Sequence, residues 1–324
     1  MSRQVLLNLS SVEYEHPKDK FALEKLRKIP ILPQLIELAA APQSSITRFK
    51  HSASYVRLNE RQLPSVYRLL REACEILSVD EPTVYLGTQG DRLSDVKCED
   101  KPIIYLTSQL VDTFSEDELM FVLGHELAHI KSRHLVYKTL ASLVSAGILE
   151  KILALIPGSG LVSGGLSTAL NVALVEWYQS GELTCDRGGY LACQNFTASC
   201  TALMKLAGWS EKYVNEMNLE EFMAQAREYE DLDSDAFDTT KKIMLSMEKS
   251  THPFAVSRIS QLLEFDKNGL YSDILQRKTE VTSSESSQEP SKPDEPPVPV
   301  GKATKDAVDS LKKLGGSMFS KFKQ

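Results

Sequence analysis

The chain has 324 residues, of which 42% are hydrophobic and 25% are charged, proportions that are ordinary for a soluble globular protein. Its net charge of −7 argues against a general nucleic-acid binder, because such proteins carry a strongly basic surface. The length is ample to bury a core without disulfides or a structural metal, so a bound metal is expected to serve chemistry.

Cysteine usage and the first residues of the chain predict a cytoplasmic location. The five cysteines include no CxxC pair, which fits a reducing compartment better than a disulfide framework. Charged residues interrupt the first 20 positions, so no apolar stretch there is long enough for a secretory signal.

Periodicity along the first half of the chain predicts a mixed fold. Apolar residues at helical spacing predict helices over about 18–29 and 63–77. The β-branched and aromatic segments 83–86 and 103–106 each follow a proline and are predicted as strands. Residues 48–58 contain β-forming residues that alternate poorly. Since helical patterns dominate from about residue 115 to 268, we expect an α+β fold that is mainly helical, with a small sheet.

A long central helix carries the most informative motif of the chain. Ser115-Glu116-Asp117-Glu118 is a capping box, which predicts that this helix begins at Glu116. The helix contains His125-Glu126-Leu127-Ala128-His129. Residues four apart lie on one helical face, so both imidazoles can bind one metal ion. Glu126 then lies beside the ion, where a carboxylate can take a proton from an activated water.

Two histidines within an apolar helix could instead be ordinary buried side chains. Leaving a polar trio without partners in such an apolar run would cost free energy, and a metal removes that cost. The pattern therefore predicts a metal site. His134 follows His129 by five residues and would lie about 140° away around a continuous helix. We interpret it as a structural residue near the helix end that does not share the ion.

A hydrolytic zinc site with two histidines needs a third protein ligand and an open position for water. Glu182 and Asp186 are candidates, because they are four residues apart and so share one helical face. One carboxylate can bind zinc while the other fixes a ligand histidine through its second ring nitrogen. The alternative is a solvated acidic pair, which is common on helices.

The segments GHELAHIKSRH and SGELTCDRGG resemble the metallopeptidase family that includes the bacterial heat-shock protease HtpX and the CAAX prenyl endopeptidases, with the motif HExxH…ExxxD. The resemblance covers roughly residues 60–265. It implies a zincin-like fold with the small sheet beside the HExxH helix, Zn²⁺ as cofactor and zinc metalloendopeptidase activity. It also implies a division of roles, with the metal ligands His125, His129 and Glu182, the general base Glu126, and Asp186 as support of a ligand histidine. Cys185 occupies a variable position of the motif and is interpreted as a core cysteine.

Many members of that family also carry a histidine-proline pair with an arginine a few residues later, and residues 251–259 match this element. The resemblance implies that His252 helps to stabilise the oxyanion formed during peptide hydrolysis. The alternative is that His252 simply begins a helix. Arg258 is expected to form an ion pair that positions the active-site helices, the alternative being an exposed charge.

The expected substrate is a peptide or protein, bound in extended form along the strand near Ile103–Leu106. The expected reaction is hydrolysis by a zinc-activated water with Glu126 as general base. The alternative function is a non-catalytic zinc-binding scaffold or chaperone-like protein of the same fold. Glu126 argues against that alternative, because a scaffold would need no base at this position.

Composition divides the chain into four predicted segments: an N-terminal helical extension (1–60), a metallopeptidase domain (61–270), a disordered linker rich in Ser, Glu and Pro (271–300), and a basic amphipathic tail (301–324). Residues 152–175 are uncharged and long enough to span a bilayer, but ten of these 24 are Pro, Gly, Ser, Thr or Asn. This favours two packed helices around a turn, serving as a lid or a membrane-contacting hairpin. Peripheral membrane contact is therefore expected through 152–175 or through the tail. The alternative for the tail is a charged segment that stays in solvent.

Overall fold

The structure is a computed structural model that describes residues 3–29, 32–33, 35–36, 44–88, 93–97, 101–145, 165–208, 210–233 and 254–276. Helices α1 (Ser11–Tyr14), α2 (Pro17–Arg27) and α3 (Ser44–Ser54) precede strand β1 (Val56–Arg57). Helix α4 (Pro64–Leu77) is followed by β2 (Thr83–Gly87), β3 (Ser94–Lys97) and β4 (Ile103–Thr107). Helices α5 (Ser108–Thr113), α6 (Glu116–Lys131) and α7 (Leu135–Ser145) come next.

The second half of the described chain is helical throughout. It consists of α8 (Gly165–Cys193), α9 (Phe196–Ala207), a 3₁₀ helix (Glu211–Glu216), α10 (Leu219–Asp233), α11 (Ala255–Lys267) and α12 (Leu270–Gln276). The prediction of a mainly helical α+β fold with a small sheet is confirmed. The predicted helices at 18–29 and 63–77 correspond to α2 and α4, and the two predicted strands correspond to β2 and β4.

The sheet has four strands in the order β1-β2-β4-β3, with β2 parallel to β4 and the outer pairs antiparallel. Strand β4 is buried along its whole length and pairs with a neighbour on both sides. The prediction that a peptide pairs with Ile103–Leu106 is therefore wrong, because the backbone groups of that strand already bond to β2 and β3. Strand β3 is the outer strand of this sheet on the side of helix α6.

Helices α6 and α8 cross at close range, because small residues line their contact. A Cβ atom added at Gly124 of α6 would lie 2.4 Å from the Ala192 Cβ of α8. One added at Gly188 of α8 would lie 2.4 Å from the Ala128 Cβ of α6. The close crossing places the HExxH segment directly opposite the ExxxD segment.

The N-terminal residues pack against the helices that carry these motifs. Leu6, Leu9 and Tyr14 belong to the main hydrophobic core, together with residues of α4, α6, α8 and α9. A second core cluster joins Leu26 of α2 to Trp177 of α8. Burial of this apolar surface holds α2 beside α8, because each Å² of apolar surface removed from water contributes roughly 25 cal/mol to stability.

Two predicted segments differ from the structure. Residues 48–58, with their β-forming residues, lie mostly in helix α3, and β1 takes only Val56 and Arg57. The linker predicted over 271–300 begins too early, since residues 271–276 belong to helix α12, whose Ile274 is packed into the core. Residues 277–324, which include the rest of the predicted linker and the basic tail, lie outside the described residues.

A helix that crosses a membrane must be both long enough and apolar enough to span the hydrocarbon core of the bilayer. Across the parts of the chain that the structure describes, no helix meets both requirements for crossing a membrane. Of the uncharged segment 152–175, residues up to 164 lie outside the described residues, and the remainder forms the start of α8.

Candidate metal centre

Helix α6 begins at the predicted capping box. The Ser115 hydroxyl accepts a hydrogen bond from the backbone N–H of Glu118 at 3.3 Å, and the Glu118 carboxylate accepts one from the backbone N–H of Ser115 at 2.7 Å. The helix is buried over most of its length, and His125, Glu126 and His129 are at most 8% exposed. Burial of three polar side chains in one helix requires partners of matching chemistry.

The carboxylate of Glu182, on α8, lies between the two imidazoles of α6. Its Oε2 is 3.3 Å from Nε2 of His125, and its Oε1 is 3.3 Å from Nε2 of His129. The ring centroids of the two histidines are 5.0 Å apart, with planes at 83° to each other. The structure thus brings together the three side chains that the sequence singled out as ligands.

Asp186, one turn further along α8, contacts the other side of the His125 ring. Its Oδ1 lies 3.0 Å from Nδ1 of His125, and its Oδ2 accepts a hydrogen bond of 2.8 Å from Nε of Arg258 on α11. Burial favours the neutral form of Asp186, but the charge and hydrogen bonds of Arg258 outweigh it and hold the pKa of Asp186 below its usual value. An ionised Asp186 fixes the proton of His125 on Nδ1.

The two imidazoles have opposite electrostatic tendencies. Burial disfavours a charged His125, yet hydrogen bonds to Asp186 and Glu182 raise its pKa to about 9. Burial lowers the pKa of His129 well below its usual value. The carboxylates around the site therefore favour one positive charge in the space that the two Nε2 atoms and Glu182 share.

His129 has a support of its own that the sequence did not reveal. Its Nδ1 lies 3.3 Å from Nδ1 of His134, and Nε2 of His134 lies 3.1 Å from Oδ2 of Asp19 on α2. The Thr184 hydroxyl donates to the same Asp19 oxygen at 2.6 Å. His134 lies just past the helix end, as predicted, but its ring lies against His129 instead of turning away around the helix.

Glu126 is held by a residue of the outer strand. The Ser94 hydroxyl of β3 donates to Oε1 of Glu126 at 2.7 Å, whereas the buried Oε2 makes no hydrogen bond within the described part of the chain. Lys138 of α7 is buried nearby, with Nζ 3.4 Å from Oδ1 of Asp95. Burial opposes its charge, but Tyr178, Glu126 and Asp95 outweigh it and raise the pKa of Lys138.

The donor set fits a metal ion. Nδ1 of His125 is committed to Asp186 and Nδ1 of His129 to His134, so both histidines turn Nε2 toward oxygens of Glu182 that can only accept. A proton on His125 can bridge one of these contacts, whereas a cation can satisfy both. The buried Nε2 of His129 makes no hydrogen bond within the described residues, as expected for a metal ligand.

A second combination of side chains is also close enough to hold a metal, namely His125, His129 and Cys185. The Cys185 thiol is buried and lies 3.6 Å from Nδ1 of His134. His252, predicted to stabilise the oxyanion, lies outside the described residues, so its role stays a prediction.

Comparison with known proteins assigns the chain to a family. The model of peptidase family M48 matches residues 98–266, just over half of the chain. Plastoglobule-localized metallopeptidase 48, chloroplastic, of Arabidopsis thaliana is 29% identical over 273 residues, which cover 83% of this chain and 77% of the plant protein.

Two microbial relatives match over shorter regions. Protease HtpX homolog 2 of Methanosarcina mazei is 25% identical over 169 residues, 47% of this chain and 58% of the archaeal protein. Protease HtpX homolog of Syntrophobacter fumaroxidans is 28% identical over 114 residues, 35% of this chain and 40% of the bacterial protein. The chain thus matches less than two thirds of the length of either HtpX homolog. No solved structure gives a significant match. The chain belongs to peptidase family M48 and is a metalloendopeptidase.

Proposed function

We propose that the chain is a zinc-dependent endopeptidase of zincin-like fold, in which His125, His129 and Glu182 bind the metal. The observation that supports this proposal is the approach of both Nε2 atoms to the Glu182 carboxylate, each at 3.3 Å. Two imidazoles and one carboxylate are a donor set of catalytic zinc sites, which keep one position open for water or substrate. Other divalent metals bind such ligands too, so the choice of zinc is part of the proposal.

Glu182 suits the third-ligand role better than Cys185. The Cys185 thiol lies beside Nδ1 of His134, the atom that contacts Nδ1 of His129. The thiol is therefore on the Nδ1 side of His129, whereas Glu182 meets the Nε2 side. Burial, followed by the charge of Glu182, also raises the pKa of Cys185 well above its usual value.

Glu126 acts as the general base through Oε2. Because Ser94 donates to Oε1, that oxygen is engaged, and the second oxygen stays available to accept a proton. When bound, zinc supplies a Lewis acid that lowers the pKa of water and polarises the scissile carbonyl. Glu126 accepts the proton of the attacking water and delivers it to the leaving amine.

The substrate in this proposal is an extended peptide that pairs with strand β3. This outer strand carries Ser94, so a peptide along it would pass next to Glu126. Main-chain hydrogen bonds to an outer strand bind a peptide with little dependence on its sequence. The absence of nucleic acid among its partners, a cytoplasmic location and membrane contact through 152–175 or the tail stay predictions.

The test is casein hydrolysis by the purified chain, with and without the chelator 1,10-phenanthroline, together with the variant Glu126→Gln. We expect chelator-sensitive cleavage in the wild type and a loss of about 10²–10⁴-fold in Glu126→Gln, the usual contribution of a general base. The variant should still bind one zinc per chain, because Glu126 is not a ligand in this proposal.

The matched control is Glu116→Gln, the same change in the first turn of the same helix, where the side chain is 65% exposed. It should cleave casein at the wild-type rate. Stoichiometric zinc in a wild type that shows no chelator-sensitive cleavage would contradict the proposal and support the non-catalytic scaffold.

A further inference from the structure

A second carboxylate–histidine pair lies behind the metal centre and comes from a different part of the chain. Asp19 of α2 is fully buried, and its Oδ2 is 3.1 Å from Nε2 of His134. Nδ1 of His134 is 3.3 Å from Nδ1 of His129. The three side chains form a continuous line from the N-terminal helix to a proposed metal ligand.

The positions of the protons follow from what each group can donate. A carboxylate only accepts hydrogen bonds, so the contact with Asp19 places the proton of a neutral His134 on Nε2. Nδ1 of His134 then carries a lone pair and accepts from Nδ1–H of His129. This leaves His129 with its lone pair on Nε2, the atom that faces Glu182. The contact between two like nitrogens is thus explained only if one of them donates.

The environment of Asp19 suits a permanent acceptor. Burial raises the pKa of Asp19, but His134, the hydroxyl of Thr184 and Trp177 outweigh it and hold that pKa below its usual value. Thr184 also accepts a hydrogen bond of 3.0 Å from the backbone N–H of His16, at the start of α2. This bond ties the start of α2 to α8, three residues before Asp19.

The backbone after α6 is folded so that His134 reaches its place. The helix ends at Lys131, and Arg133 adopts a left-handed conformation with φ 56°. The backbone N–H of His134 then donates to the carbonyl of His129 at 3.0 Å. The ring of Trp177 packs edge-on against His134 at 5.5 Å, which leaves the imidazole little freedom to rotate.

The geometry points to Asp19 as a positioning residue that acts through His134 to hold His129 in the tautomer that presents Nε2 to the metal. This inference rests on the proposed function. Helix α2 thereby contributes a positioning residue to the metal site, although it lies outside residues 98–266, which the family model matches. His125 receives the same support directly from Asp186, so each histidine has one carboxylate behind it.

The first test is zinc affinity, measured by competition with a chromogenic chelator, for wild type, Asp19→Asn, His134→Phe and the double variant. Loss of a residue that supports a metal-bound histidine usually weakens metal binding 10–100-fold. We expect a loss on the order of 10–100-fold in each single variant. The double variant should lose no more zinc affinity than the single variant that binds zinc less tightly, because both changes break the same line of contacts.

Glu24→Gln is the matched control, since it removes an exposed carboxylate from the same helix and should leave zinc affinity unchanged. Losses that multiply in the double variant would overturn the inference, because they would mean two independent structural effects. Zinc bound by the wild type and equally well by Asp19→Asn would overturn it while leaving the proposed function intact. A wild type that binds no zinc would overturn both.

The second test needs no variant that might fail to fold. In zinc-loaded wild type labelled with [¹⁵N]histidine, the ¹⁵N chemical shifts report which ring nitrogen carries the proton. We expect His134 to be protonated on Nε2 and His129 on Nδ1. A His134 ring protonated on Nδ1 would overturn the inference whatever the affinities are.

Discussion

Glu182 and Cys185 show how three residues of spacing on one helix decide which side of a histidine a side chain meets. Both lie on α8 and both are buried beside His129. The carboxylate meets Nε2, and the thiol lies next to the contact between the Nδ1 atoms of His129 and His134. A metal shared by the thiol and Nδ1 of His129 would have to replace the contact between His129 and His134.

The choice between these two ligands leads to a direct prediction. Glu182→Gln removes the anionic donor at constant size and should weaken zinc binding by more than the roughly 100-fold seen when a supporting residue is lost. Cys185→Ser should change zinc affinity little. Zinc content after dialysis and affinity by chelator competition are the measurements, with circular dichroism to check folding. Retention of zinc in Glu182→Gln, with loss in Cys185→Ser, would exchange their roles.

At the residue scale, the sequence predicted side chains that regular helices present together. His125 and His129 share a face of α6, and Glu182 and Asp186 share a face of α8, so helical spacing predicted each pair, while the family resemblance implied their roles. The placement of His134 against His129 was not predictable, because it depends on the left-handed conformation of Arg133. No glycine or proline next to Arg133 indicates this turn in the sequence. Asp19 was missed because it lies 115 positions before His134 along the chain, with no local pattern to connect them.

At the scale of elements, the crossing of α6 and α8 determines whether the two motifs meet. Gly189 of α8 is the tightest point against backbone, since a Cβ atom there would lie 2.7 Å from the carbonyl oxygen of Phe121. A carbonyl inside a buried helix cannot move aside without shifting the helix. The contact therefore fixes the distance between helices, and with it the distance between His125 and Glu182.

Gly189→Ala should consequently separate the two helices. We expect a loss of about 1–3 kcal/mol in the free energy of unfolding, the usual cost of overpacking a core, together with weaker zinc binding. The control is Gly208→Ala, just after α9, where an added Cβ would meet no atom within 4 Å. Chemical denaturation and chelator competition measure both effects. Equal stability of the two variants would show that the crossing tolerates a methyl group.

The strands show which elements the sequence could predict. Strands β2 and β4 lie in the interior of the sheet and consist mainly of apolar, β-branched or aromatic residues. This composition was sufficient to predict them as strands. Strand β3 has the sequence Ser-Asp-Val-Lys, and only Val96 is buried. An outer strand with one apolar side chain has no alternation to detect, so the sequence indicated β4 and did not reveal β3, the strand that the proposed function uses.

At the scale of the whole molecule, helix α11 links the supports of both histidines. Arg258 hydrogen-bonds to Asp186, which lies behind His125. Gln261, one turn later, lies 2.8 Å from Nε2 of His16, the residue that caps α2. Helix α2 in turn carries Asp19. The N-terminal and C-terminal parts of the described chain therefore meet beside the candidate metal centre.

His16 makes this junction dependent on pH. Its Nδ1 accepts a hydrogen bond from the backbone N–H of Lys18, which only an unprotonated ring nitrogen can do. Burial, and then the charge of Arg187, lower the pKa of His16 from 6.5 to about 4. Since the unfolded chain binds this proton more readily, the neutral ring stabilises the fold fully above pH 6.5. That stabilisation is lost as the pH falls toward 4.

The wild type should therefore lose stability relative to His16→Asn as the pH is lowered. Asparagine also caps a helix but does not titrate, so the variant lacks this one proton-linked contribution. Between pH 7 and pH 5 the free energy of unfolding of the wild type should fall by about 2 kcal/mol more than that of the variant. This is the value that proton linkage gives for the shift in the pKa of His16. Unfolding by urea at the two pH values measures it, and the other histidines cancel in the difference. A constant difference between the two proteins would mean that His16 is not kept neutral by the fold.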